Sequence, residues 1–133
     1  IRRPVQAADS MLFQALEPGD MLLIDSSHVL MPGTDVDLLL NRVLPALPPG
    51  VLVHIHDVFL PDGYPADWNW RGYNEQLAVV ALLVSGAAEP LFASHYVTTR
   101  LADAVNESVI GALPLMPGAR ESGLWCRWPG ARS

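Results

Sequence analysis

The sequence predicts an α/β fold in one domain, and three observations carry that prediction. "MLLID" (Met21 to Asp25) and "VLVHIH" (Val51 to His56) are continuous apolar runs of strand length. Unbroken runs of this kind suit parallel strands covered on both faces. Segments with helical apolar spacing alternate with them, and Pro- and Gly-rich turns separate the two kinds. The order is helix, strand, helix, strand, loop, helix, strand, helix, strand, which describes a sheet with crossover helices.

The first helix is expected over Ala7 to Leu16, where Met11, Leu12 and Leu16 share a face behind Asp9 and Ser10. "EPGD" turns the chain into the strand at Met21. After the loop "SSHVLMPGT", Thr34 is a natural N-cap for a helix with Val36, Leu39, Leu40, Val43, Leu44 and Leu47 on one stripe. Asp35 and Asp37 fall where the helix dipole favours acids. Pro45 lacks an N–H and should kink or end that helix, and "PPG" stops it. Residues 57–73, rich in Pro, Gly and Trp, read as a lid-like loop, because loops of this length are usually functional. A helix from about Asn74 to Val84 is expected to use Leu77, Val80, Ala81 and Val84 as one face. "EPLFASHYV" reads as a third strand, "RLADAVNESVIGAL" as a helix and "SGLWCRW" as a closing strand.

Composition limits the function. Half of the 133 residues are hydrophobic, enough for a globular core. The net charge of -6, with no basic cluster, argues against a nucleic-acid partner. Cys126 is the single cysteine, which excludes an internal disulfide and a cysteine-based zinc cluster. No apolar run approaches the roughly 20 residues of a membrane span, and no signal-peptide pattern opens the chain. A reducing, cytoplasmic setting without membrane contact is the expectation.

In α/β sheets, ligands bind beyond the carboxyl ends of the strands. Both acid-terminated strands deliver polar groups there, at Asp25 and at Asp57. Within "VLVHIHDVFLP", Val51, Val53 and Ile55 should share one face, and Leu52, His54 and His56 the other. Histidines two apart on a strand sit roughly 6–7 Å apart at Cα, so His54, His56 and Asp57 could share a metal. The competing reading makes His54 a core histidine and sends only His56 and Asp57 to the edge. Asp25, Ser26, Ser27 and His28 form a second cluster. Asp25 suits a metal or a substrate hydroxyl, and His28 a general base, with a capped turn as the plain alternative. "DSSH" is a weak hydrolase signal, because no G-x-S-x-G elbow accompanies it. In the loop, Tyr64, Trp68 and Trp70 either line a pocket or anchor the segment, and anchoring is the favoured reading for the two tryptophans. Asn74 is placed as an N-cap, with Glu75 and Gln76 in the first turn where they can point into the cleft. His95 reads as structural, on the third strand.

These segments resemble a known family. "LEPGDMLLIDSSHV", "GTDVDLLLNRVLPALPPGVLVHIHDVFLPDGYPADW" and "YNEQ", in that order, are similar to the C-terminal half of the class I S-adenosylmethionine-dependent methyltransferases of the methyltransferase domain 24 group. The resemblance spans roughly Val5 to Val84. It implies a Rossmann-like methyltransferase sheet whose strand four is Met21 to Asp25, strand five Val51 to His56, strand six Leu91 to Tyr96, and an antiparallel strand seven Leu124 to Trp128. Residues 1–133 would be the C-terminal part of a single such domain, with strands one to three before Ile1. The glycine-rich donor loop of the family is absent, since no G-x-G occurs in the chain.

The resemblance implies methyl transfer from S-adenosylmethionine to a small-molecule hydroxyl. His28, His56 and Asp57 would be catalytic. Tyr64, Trp68, Glu75 and Gln76 would bind the acceptor, and Asp25 and Ser26 the cofactor. Asp25 and Asp57 match positions at which related enzymes hold a divalent metal. Two other readings stand beside it. One is a metal-dependent hydrolase built on His54, His56 and Asp57. The other is an inactive truncated domain that self-associates through an exposed sheet edge.

Overall fold

Parallel strands need a crossover between them, and the chain supplies one. The computed structural model describes residues 2–114 and 116–130, so the outermost bounds of the expected domain, 1 and 133, lie outside the described residues. Strand β1 (Met21–Ile24) pairs in parallel with β2 (Leu52–Ile55), with Met21 opposite Leu52 and Ile24 opposite Ile55. Strands β3 (Glu89–Ala93) and β4 (Leu124–Arg127) complete an open mixed sheet in the order β1-β2-β4-β3. The closing strand β4 is antiparallel to both of its neighbours. Pro90 cannot donate to a ladder, and the pairing of β3 with β4 shifts register between Pro90 and Phe92.

The helices are α1 (Met11–Gln14), α2 (Asp35–Leu38), α3 (Glu75–Val84), α4 (Ser94–Arg100) and α5 (Ala102–Asn106), with shorter 3₁₀ turns between some of them. Three differ in extent or position from the sequence expectation. The helix predicted over Ala7 to Leu16 is a 3₁₀ turn at Val5–Ala7 followed by the single turn of α1. The predicted third strand stops at Ala93, because Ser94 turns the chain into α4: its N–H donates to the Gly123 carbonyl and its hydroxyl accepts from the Gly123 N–H. His95 and Tyr96 are therefore helical. The helix predicted after Arg100 breaks into α5 and a 3₁₀ turn at Val109–Ala112.

Elsewhere the local chemistry acts as expected. The Thr34 hydroxyl caps α2 by accepting from the Asp37 N–H at 3.2 Å. Ahead of Pro45, which has no N–H to give, the helix widens into a π turn over Leu39–Val43 and ends in a 3₁₀ turn at Leu44–Ala46. Val51, Val53 and Ile55 alternate inward into a core with Leu44, Leu47, Val79, Leu124, Cys126 and Trp128. Burial raises the Cys126 thiol to about 11, so it is a packing group. Gly50 has φ 86°, and a Cβ there would meet Pro18 Cβ at 2.9 Å, which restricts the turn before β2 to glycine.

Helix α3 reverses its expected face. Val79 is buried, together with Glu75 and Gln76, whereas Leu77 is 71% exposed and Val80 and Val84 also face outward. "LAVVALLV" is apolar all round, so periodicity could not select the inner side. No helix among the described residues is long and apolar enough to cross a membrane.

Candidate functional site

Parallel pairing puts the ends of β1 and β2 at one edge, and the residues that follow them turn sharply. Apart from glycines, only His28 (φ 58°) and Asp57 (φ 55°) among the described residues lie in the left-handed region. That conformation costs an L-residue about 1–2 kcal/mol, so a rigid surround must hold it. At His28 the surround is α3. The His28 carbonyl accepts from the N–H groups of Asn74 and Glu75, at 3.0 and 3.2 Å. Asn74, expected as an N-cap, makes no side-chain cap bond. Its amide instead brackets Leu30, accepting from the Leu30 N–H at 2.6 Å and donating to the Leu30 carbonyl at 3.4 Å.

This docking buries a pair of titratable groups. His28 is 3% exposed and Glu75 1%. His28 Nδ1 donates to Glu75 Oε2 at 2.9 Å, and the Ser26 hydroxyl donates to the same oxygen at 3.0 Å. The bond to a carboxylate leaves Nε2 as the outward nitrogen. Nε2 lies 3.4 Å from Asp25 Oδ1 and 3.6 Å from Asp57 Oδ2. Burial alone would lower the imidazole pKa. The hydrogen bond to Glu75 and the charges of Glu75, Asp57 and Asp25 outweigh it, and the net result is a rise above 6.5. Glu75 Oε1 is buried without a hydrogen-bond partner.

At the end of β2, Asp57 is buried and accepts from the Ser122 hydroxyl at 3.0 Å. His56 points outward, its side chain 48% exposed, with Nε2 3.6 Å from Asp57 Oδ1. Asp25 is the open acid of the group, its side chain 75% exposed. His54 takes neither of its predicted positions fully. It is half-buried on the outer face of β2, its ring 4.7 Å from Trp125, and Gly123 leaves room for it, since a Cβ there would stand 2.8 Å from His54 Cε1. Burial and the neighbouring His56 lower its pKa.

The loop over residues 57–73 is tied down at several points. Gln76 accepts from the Phe59 N–H at 2.9 Å and donates to the Asp62 carbonyl at 3.1 Å. The Tyr64 hydroxyl accepts from the Gln76 N–H, and burial pushes that phenol up to about 12. Asp62 accepts from Arg100 and from His95, which hold its carboxyl well below the usual range. Trp68 anchors as expected, edge-on to Phe59 at 5.3 Å, whereas Trp70 is 81% exposed.

The edge thus gathers Asp25, Ser26, His28, His56, Asp57 and Glu75, while Tyr64, Trp68 and Gln76 shape the adjoining loop. Two contributors were not predicted. Tyr73 lies against His28, ring centroids 4.5 Å apart. It directly precedes Asn74, Glu75 and Gln76, which was the available signal. Ser122 precedes an antiparallel strand, and the amino end of such a strand lies at the carboxyl edge of its parallel neighbours. Among the described residues, no group of three or more His, Cys, Asp and Glu is arranged to hold a metal ion.

Beside this edge, a cleft of about 650 Å³ opens along β1, with Val5, Phe13, Leu22 and Leu39 as apolar wall and Asp25, Ser26 and Asp35 as polar rim. Compared with known proteins, the chain matches no family model, no curated protein and no solved structure.

Proposed function

We propose that this chain is the acceptor-side part of an S-adenosylmethionine-dependent methyltransferase acting on a small-molecule hydroxyl, with β1 to β4 as strands four to seven of a Rossmann-like sheet. The observation that carries the reading is the meeting of His28 and Asp57, two left-handed residues at the carboxyl edge whose side chains approach to 3.6 Å. Strained backbone that aims titratable groups at one point is characteristic of sites rather than of packing. The antiparallel closing strand supports the resemblance. So does the place of β1 at the edge of the described sheet, with Met21 and Leu23 exposed.

The cleft along β1 fits the donor in chemical character: an apolar wall for a nucleoside and acids for a positively charged sulfonium. Asp25 and Ser26 would hold it there. When bound, S-adenosylmethionine supplies an electrophilic methyl group. The chain's own residues manage the acceptor proton. His56, half exposed and backed by Asp57, accepts it from the hydroxyl. His28 is too buried to touch an acceptor and acts as a positioning residue. Held by Glu75, it presents Nε2 to both acids, 3.4 Å from Asp25 and 3.6 Å from Asp57, and so ties the ends of β1 and β2 to α3.

The test is methyl transfer by the natural full-length polypeptide that contains these residues, using labelled S-adenosylmethionine and a panel of small hydroxylated compounds. Label should enter an acceptor, and both His56→Ala and Asp57→Asn should slow entry by about 10²-fold or more. No labelled product from any acceptor counts against the proposal.

A further inference from the structure

Beyond Asp57 at the strand end, residues 58–73 contain two acids and one arginine, and the pairing among them is uneven. Asp62 is taken by Arg100 and His95, and Asp67 by Arg120, which reaches both of its oxygens at 2.8 and 3.0 Å. Arg71 makes no ion pair among the described residues. It is instead packed among rings. Its guanidinium carbon lies 4.1 Å from the Trp68 centroid and 5.4 Å from those of Trp70 and Tyr73. Of its five N–H donors, one goes to the Tyr73 hydroxyl at 3.1 Å, and Nε is buried with no acceptor.

An arginine that gives the protein a single hydrogen bond is a weak tether, yet its guanidinium is already held in place over the Trp68 ring. Holding the fork removes much of the ordering cost that anion capture would otherwise carry. The location adds direction, because Tyr73 both bonds Arg71 and packs on His28. The guanidinium is therefore one ring away from the carboxyl edge. In a chain of net charge -6, whose edge carries Asp25, Asp57 and Glu75, an acidic ligand needs a local cation to approach at all.

We propose that Arg71 is an anion-recognition residue that receives the carboxylate or phosphate group of an acidic small-molecule acceptor. The word acceptor rests on the methyltransferase reading; capture of the anion does not. The fork takes the acidic group by paired N–H···O bonds, Trp68 and Tyr73 flank the body of the ligand, and the hydroxyl end is left toward His56.

Tryptophan fluorescence of the full-length polypeptide, with no methyl donor present, reads this directly. The probes are benzoate, phenyl phosphate and the neutral analogue benzamide, at constant ionic strength. At least one of the two anions should give a saturable change at concentrations at least 10-fold below any change from benzamide, and which anion does so separates carboxylate from phosphate recognition. Arg71→Met should abolish the preference, and Arg71→Lys should restore it in part, with circular dichroism showing both variants folded. No saturable response to either anion, or an equal response in Arg71→Met, overturns the proposal. An intact anion preference in a protein that transfers no methyl group leaves Arg71 assigned and removes only the methyltransferase reading.

Discussion

His28 and Glu75 stand 47 positions apart in sequence and form a buried hydrogen-bonded pair at 2.9 Å. The pair joins the loop after β1 to the first turn of α3, and each partner makes the burial of the other tolerable. Removing one partner of such a pair leaves a buried charge without compensation. His28→Ala should therefore destabilise the fold by about 3–5 kcal/mol, seen as a lower urea midpoint with an unchanged slope. Ser26→Ala, which removes only the second donor to Glu75 Oε2, should cost about 1–3 kcal/mol.

The titration of His28 gives a prediction with a definite sign. Its folded pKa is raised above 6.5, so its charged form contributes stability that is fully present below about 6.5 and is lost as pH rises through the raised value. An NMR titration of the imidazole should place its midpoint above that of a free histidine, and Glu75→Gln should move it down. A Glu75→Gln protein in which the midpoint is unmoved would show that Glu75 is not the principal cause.

Gln76 predicts the order of the long loop. It holds the Phe59 N–H and the Asp62 carbonyl together, one from each side of the turn. Gln76→Ala leaves both without that partner and should cost about 1–3 kcal/mol. Hydrogen exchange at the Phe59 amide should quicken, while amides of β2 keep their protection until global unfolding.

The orientation of α3 is checked by a pair of substitutions. Val79→Ala opens space in the core and should cost about 2 kcal/mol. Leu77→Ala, on the exposed side, should stay within about 0.5 kcal/mol of the parent. Thermal melts of the two variants, compared side by side, decide which face is inside.

These residues also show what the sequence made legible. The alternation of Val51, Val53 and Ile55 has a period of two and an unambiguous inner face, so β2 and the exit of His56 and Asp57 from it could be foreseen. Thr34 signalled its cap by residue type alone. Helix α3 could not be oriented, because its apolar residues encircle it. The end of β3 was hidden because "ASHYV" carries strand-favouring residues, while the bonds that turn it into a helix come from Gly123, 29 positions away. The site was legible as a set of polar residues at strand ends, and not as a geometry. Nothing in the letters reveals that His28 and Asp57 adopt positive φ, or that Glu75 rather than solvent faces the imidazole. The pairing of Asp62 with His95 and Arg100, and of Asp67 with Arg120, which leaves Arg71 over, likewise depends on contacts made only in three dimensions.

The central claim is that the edge built by Asp25, Ser26 and the His28–Asp57 approach faces a methyl donor. Calorimetric titration of S-adenosylhomocysteine into the natural full-length polypeptide tests it most directly. The account predicts saturable one-to-one binding that Asp25→Ala weakens at least 10-fold, with the protein still folded. A protein that is folded and gives no heat of binding at millimolar S-adenosylhomocysteine would contradict it.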